Sequence, residues 1–69
     1  MLAEIKVDVF VGGPLDGMKI PQAEGFECLV DHATQAVYEV ETIVVDGRRL
    51  SFWRLQTLHP IEATTRLLF

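Results

Sequence analysis

A chain of 69 residues with one cysteine has room for a single domain, residues 1–69, and none for an internal disulfide. Chains this short bury only about 60% of the surface their unfolded form exposes, and with 49% hydrophobic residues the aid to stability that composition favours is self-association. The net charge of −4 argues against nonspecific binding of double-stranded nucleic acid, which depends on Lys and Arg neutralising phosphates, and no run approaches the ~20 apolar residues of a membrane-spanning helix.

The charge is unevenly placed. Residues 1–47 carry nine acids against Lys6 and Lys19, a sum of −7, and residues 48–69 carry four arginines against Glu62, a sum of +3. This leaves room for a small anionic ligand at the arginine end or a basic partner at the acidic end. A free cysteine and the lack of a basic and apolar leader point to a reducing, cytoplasmic setting.

The first predicted element is a half-buried strand over 3–11, with Ile5, Val7, Val9 and Val11 on one face and Glu4, Lys6, Asp8 and Phe10 on the other. Gly12-Gly13-Pro14-Leu15-Asp16-Gly17 then turns the chain: Pro14 presets φ, and Asp16-Gly17 supplies an acceptor and a residue tolerant of positive φ. Met18 to Pro21 reads as a short return strand, 21–25 as a loop, Phe26 to Asp31 as a third strand, and Asp31-His32-Ala33-Thr34 as a polar turn.

The clearest signal is the alternation over residues 37–45 running into Asp46-Gly47, a two-residue hairpin signature. With those two residues as the loop, Val45 faces Arg48 and the register follows. One face then pairs Val44 with Arg49, Thr42 with Ser51, Val40 with Trp53 and Tyr38 with Leu55. The other pairs Ile43 with Leu50, Glu41 with Phe52, and Glu39 with Arg54 as a cross-strand ion pair. Both faces are apolar enough to need a cover, and only one further element follows, so the Ile43/Leu50/Phe52 face is expected to meet another subunit.

That last element begins at His59-Pro60, where proline suits a first helical turn and Glu62 the positive end of the dipole. Ile61, Thr64 or Thr65, and Leu68 share a helical face; the alternative is a terminal strand over 66–69. The expected fold is α+β and mainly β: a small antiparallel sheet of four to five strands with a short C-terminal helix.

Chemistry-bearing groups are sparse. The glycine turn fits neither a Walker A loop nor a dinucleotide fingerprint, since strand-like sequence follows it. Cys28 and His32 lie on a strand and a turn with no third group to orient them, and the expected state of Cys28 is a buried small hydrophobe. Two histidines and one cysteine leave a zinc site short of ligands. Neither a metal nor a cofactor is expected. Glu39 and Glu41 share a face, which is read as solvated or ion-paired rather than as an acid-base pair. Arg48, Arg49 and Arg54 around Phe52 and Trp53 form the one basic-aromatic cluster, of the kind that stacks a base and pairs its phosphate, although alternation divides it between two faces.

The run Val11 to Gly17 and the short strand ending at Pro21, with Tyr38 as looser support, resembles the GGPLDG turn near the N-terminus of many small uncharacterised proteins of phages and their bacterial hosts. The resemblance covers about a third of the chain. It implies a β-rich domain with no catalytic residue to carry over, acting by stoichiometric binding.

Three functions follow as expectations. The first is a non-enzymatic accessory protein, a homo-oligomer with a dimer favoured, that binds a host or phage protein, with Ile43, Leu50 and Phe52 as its interface. The second is a sponge for a nucleotide or other small anionic signal, held by Arg48, Arg49, Trp53 and Arg54. The third is a minor virion or assembly component.

Overall fold

The Asp46-Gly47 turn sets the architecture. Both residues take left-handed φ, 49° and 72°, the conformation a two-residue hairpin turn needs to match strand twist. It joins β3 (Ala36–Val45) to β4 (Arg48–Leu55) in the register expected from the sequence, from Val45 opposite Arg48 to Tyr38 opposite Leu55. The computed structural model describes residues 3–21 and 27–69. Its remaining elements are β1 (Ala3–Val11), β2 (Cys28–Asp31) and α1 (Pro60–Leu68). The mainly β fold with a short C-terminal helix is as expected; the third predicted strand starts at Cys28, and Phe26 lies outside the described residues.

The strand order is β1-β4-β3-β2. β2, β3 and β4 form an antiparallel meander, but β1 lies parallel to β4, so the sheet is mixed rather than wholly antiparallel. The reason lies in the glycine turn, which does not join β1 to a neighbouring long strand. The run after it returns along the outer edge of β1 in a single antiparallel bridge, Val9 with Lys19, tied by Phe10 N–H to Met18 O at 2.8 Å and Ile20 N–H to Asp8 O at 3.1 Å. β2 lies at the opposite edge of the sheet, and the meander brings β4 back beside β1. The register of β1 against β4 slips between Lys6 and Phe10, around Asp8 with its φ of 60°. Such a bulge bends a strand and interrupts its edge.

Each face of the sheet is covered by the chain itself. On one face Phe10, Tyr38 and Trp53 form a buried aromatic cluster, Phe10 edge-on to Tyr38 with centroids 4.8 Å apart and stacked on Trp53 at 5.3 Å. Leu15 and Ile20, from the glycine turn and the run after it, pack on this cluster. On the other face Val11, Phe52 and Ala63 are buried together, with Val9, Ile43, Leu58 and Leu67 around them. Phe10, assigned to the polar side of β1 by alternation, is thus a core residue. The expectation that a second subunit covers the Ile43/Leu50/Phe52 face is corrected at Phe52, which α1 buries together with Val11 and Ala63 while Ile43 packs beside them, because the glycine turn folds back over the opposite face and frees the helix for this one; Leu50 is half-buried outside that cluster.

Tyr38 explains the glycine turn. Its buried hydroxyl donates to Gly12 O at 2.7 Å and accepts from Leu15 N–H at 3.0 Å, pinning the turn to the middle of the sheet. At Gly13, with φ of 66°, a Cβ would sit 2.7 Å from the Tyr38 hydroxyl and 3.1 Å from Leu55 Cδ1. Asp16 closes the turn by accepting the Gly12 N–H at 2.7 Å. The glycines are there so that backbone can approach a side chain, and the turn's ligand is the protein's own tyrosine.

Candidate interaction surface

The position of α1 is set by Arg54 and His59. Arg54 Nη1 lies 3.2, 3.1 and 2.8 Å from the carbonyls of Leu55, Gln56 and Leu58, so one guanidinium holds the whole connection into the helix. Its Nη2 donates to Glu39 Oε2 at 3.1 Å, the expected ion pair, and its Nε lies 3.3 Å from Glu41 Oε1, close enough for charge attraction although no hydrogen bond forms there. His59 is the N-cap: its Nδ1 accepts the Ile61 N–H at 3.1 Å, and Pro60 takes the first turn, where its missing N–H costs nothing. Glu62 at the positive end pairs with Arg66 one turn on, at 2.9 Å.

The side of α1 that meets the sheet carries Ala63, fully buried, with Leu67 beside it. A small residue there lets the helix backbone approach Phe52 and Val11 closely. The stripe read from the sequence points the other way. Ile61 is 72% exposed and Leu68 42%, and Phe69, at the C-cap, is 99% exposed. Residues seven apart on a helix share a side, so Ile61 and Leu68 form an outer apolar stripe that Phe69 extends. Beside it, the end of α1 at Arg66, Leu67 and Phe69, the end of β1 at Val9 to Val11, and Asp16-Gly17 of the turn enclose a cleft of about 450 Å³. Its floor is apolar, and Asp16 and Arg66 stand at its rim with opposite charges.

The residues nominated from the sequence are dispersed. Phe52 is wholly buried under α1 and presents no surface, while Ile43 and Leu50 are half-buried beside it. Trp53 is buried in the aromatic cluster, its Nε1–H donating to Ile20 O at 3.3 Å. Neither ring has a free face for a base, because in strands at this register the aromatic residues of the basic-aromatic run point into the two cores. Arg54 is held by carbonyls and carboxylates. Arg48 and Arg49 are exposed at the hairpin end, on opposite faces. An anion site built on all four residues is therefore not assembled.

Cys28 is exposed, not buried as expected. It opens β2, and His32 lies just past that strand's far end, about 13 Å away at ~3.3 Å per residue. Glu39 and Glu41 both face Arg54, which accounts for their shared face. Ser51 is buried with its Oγ 3.3 Å from Thr42 Oγ1, the cross-strand pair read from the sequence. Among the described residues no cluster of His, Cys, Asp and Glu has the arrangement to hold a metal ion, and no helix is long and apolar enough to cross a membrane.

No family matches. Comparisons with family models, with curated proteins and with solved structures all returned nothing similar to this chain. The outer stripe of α1 and its cleft therefore stand on geometry alone. Sequence reasoning grouped Ile61 with Leu68 on one helical face but gave that face no direction. The signal that supplies it is the second, narrower pair Ala63 and Leu67, four apart, whose small first member marks a close approach.

Proposed function

We propose that this protein is a non-catalytic binding module that holds a protein partner stoichiometrically against the outer side of α1. The observation that carries the reading is that a nine-residue helix carries apolar residues on two sides, and its own sheet covers only one. Such a pattern belongs to helices packed on both sides. Fully burying Ile61, Leu68 and Phe69 would contribute about 1.5–3 kcal/mol each. Association costs about 4–15 kcal/mol in lost freedom, so the stripe needs an additional anchor. The adjoining cleft offers one, with room for a large apolar side chain and with Asp16 and Arg66 among its lining residues to fix polar groups around it. The resemblance of the GGPLDG turn to small phage and host proteins directs the search for that partner to host and phage proteins.

The test is capture on immobilised protein from host and phage-infected lysates, comparing wild type with the double variant Ile61→Glu/Leu68→Glu and with Arg48→Ala/Arg49→Ala. One protein retained at near-equimolar ratio by wild type and by the arginine variant, and lost with the glutamates, is the expected result. Equal retention by all three would refute the assignment of α1.

A further inference from the structure

The two edges of the sheet are treated differently. The outer edge of β1 is protected: Glu4 and Lys6 are exposed along its first half, Asp8 bulges, and the backbone from Asp8 to Phe10 is bonded to the run through Met18 and Ile20. These are the devices by which edge strands avoid pairing with other chains. On the opposite side β3 outlasts β2. β2 pairs with Ala36 to Glu39, and among the described residues the last contact is Val40 N–H to Glu27 O at 3.0 Å. From Glu41 to Val45 no described strand lies on that side of β3.

The polarity of this bare segment is fixed by the hairpin. Val45 and Arg48 flank the two-residue turn and bond to each other, so Val45, Ile43 and Glu41 aim their backbone groups at β4. Val40 aims its N–H at Glu27, and Thr42 and Val44, in step with it, aim theirs outward in the same direction. Two peptide N–H groups and their carbonyls thus stand in a row with no strand beside them among the described residues. The side chains here include no lysine, proline or bulge; Thr42 is exposed and Val44 is 62% exposed.

We propose that this edge pairs with the same edge of a second copy, β3 against β3 in antiparallel sense, making one continuous sheet across a two-fold axis at Ile43. The segment is complementary to itself in that register. Thr42 N–H and C=O meet those of Val44 in the partner, and the reverse holds on the other side of the axis, so the outward backbone groups of both residues are satisfied. Glu41 lies opposite Val45 and Ile43 opposite Ile43, so no like charges face each other. Glu27 lies level with Val40, so a partner strand can extend along this edge no further than Val45 opposite Glu41. Because β1 offers no equivalent edge, the pairing closes on two copies and does not propagate. This favours a second copy over an unrelated strand, and it does not rest on the α1 reading.

Two variants test it, with mass measured by light scattering during size exclusion. Wild type is expected at twice the 7.8 kDa chain mass. Val44→Pro removes an outward N–H while leaving the bonds to β4, and is expected at the chain mass with an unchanged far-ultraviolet spectrum. If that variant misfolds, the second test stands alone. In a Cys28→Ser background, Ile43→Cys is expected to form an intermolecular disulfide under mild oxidation, because only a residue on the axis faces itself, whereas Val45→Cys is expected to form none. A monomeric wild type across the concentration range, or crosslinking at 45 and not at 43, overturns the proposal. Ile61→Glu/Leu68→Glu should leave the dimer intact, which keeps failure here distinct from failure of the partner site.

Discussion

Replacing Tyr38 with phenylalanine removes one oxygen and leaves the ring in contact with Phe10, so the loss reports on the hydroxyl alone. That oxygen donates to Gly12 O at 2.7 Å and accepts from Leu15 N–H at 3.0 Å. Without it, a carbonyl facing the core and a half-buried N–H lose their partner together. An unsatisfied buried group costs about 1–3 kcal/mol, and Leu15 retains some access to water, so the expected loss is about 2–4 kcal/mol for the pair. A domain of this size has about 3–10 kcal/mol in all, and each kcal/mol moves Tm by about 4–8 °C. The variant should therefore melt at least ~8 °C lower. Urea titration followed by the emission of Trp53, the sole tryptophan and a member of the same cluster, measures the loss. Amide exchange at Leu15 and Gly17 should quicken before that of β3. A loss below about 1 kcal/mol, or exchange at Leu15 unchanged, would refute the claim that the tyrosine holds the turn.

Gly13→Ala and Gly17→Ala share a left-handed backbone, φ 66° and 84°, but only the first places a Cβ against Tyr38 and Leu55. Gly17→Ala should cost about 1–2 kcal/mol and Gly13→Ala a further ~1–3 kcal/mol for overpacking, read by the same titration; equal losses would remove the close-approach argument. Ala63→Leu should destabilise by about 1–3 kcal/mol and raise binding of a hydrophobic dye as α1 lifts from Phe52. Arg54→Met should cost about 3 kcal/mol, the low end for breaking a buried pair since Glu39 is partly exposed, and calorimetry would show it. A loss matched by Glu39→Gln alone would mean that the carbonyl clamp on residues 55–58 adds nothing.

The hairpin was legible to the residue because Asp46-Gly47 fixes the loop and the alternation around it admits one register. The start of α1 was legible for the same kind of reason: His59, Pro60 and Glu62 each satisfy a local requirement of a helix N-terminus. Local rules stop there. Periodicity grouped Ile61 with Leu68, but which side of a helix meets the sheet depends on what the sheet offers, and Phe52 demanded the small side chain of Ala63. The partner of β1 was illegible because parallel pairing is made across most of the chain and leaves no turn signature. Trp53 misled as a candidate ligand platform since an aromatic among arginines reads alike whether its ring faces water or Phe10; only the fold of the N-terminal segment decides that.

The place of β1 beside β4 has a consequence for how this molecule is made. Residues 3–21 are synthesised before both of their anchors, Tyr38 and the strand Arg48–Leu55. That segment must wait, with Phe10 and its valines unprotected, until β4 has emerged. The meander of β2, β3 and β4 can assemble meanwhile from neighbours in sequence, and docking of the N-terminal segment is the late event. A variant truncated before Val11 would then retain the hairpin but leave an aromatic face with nothing to close it.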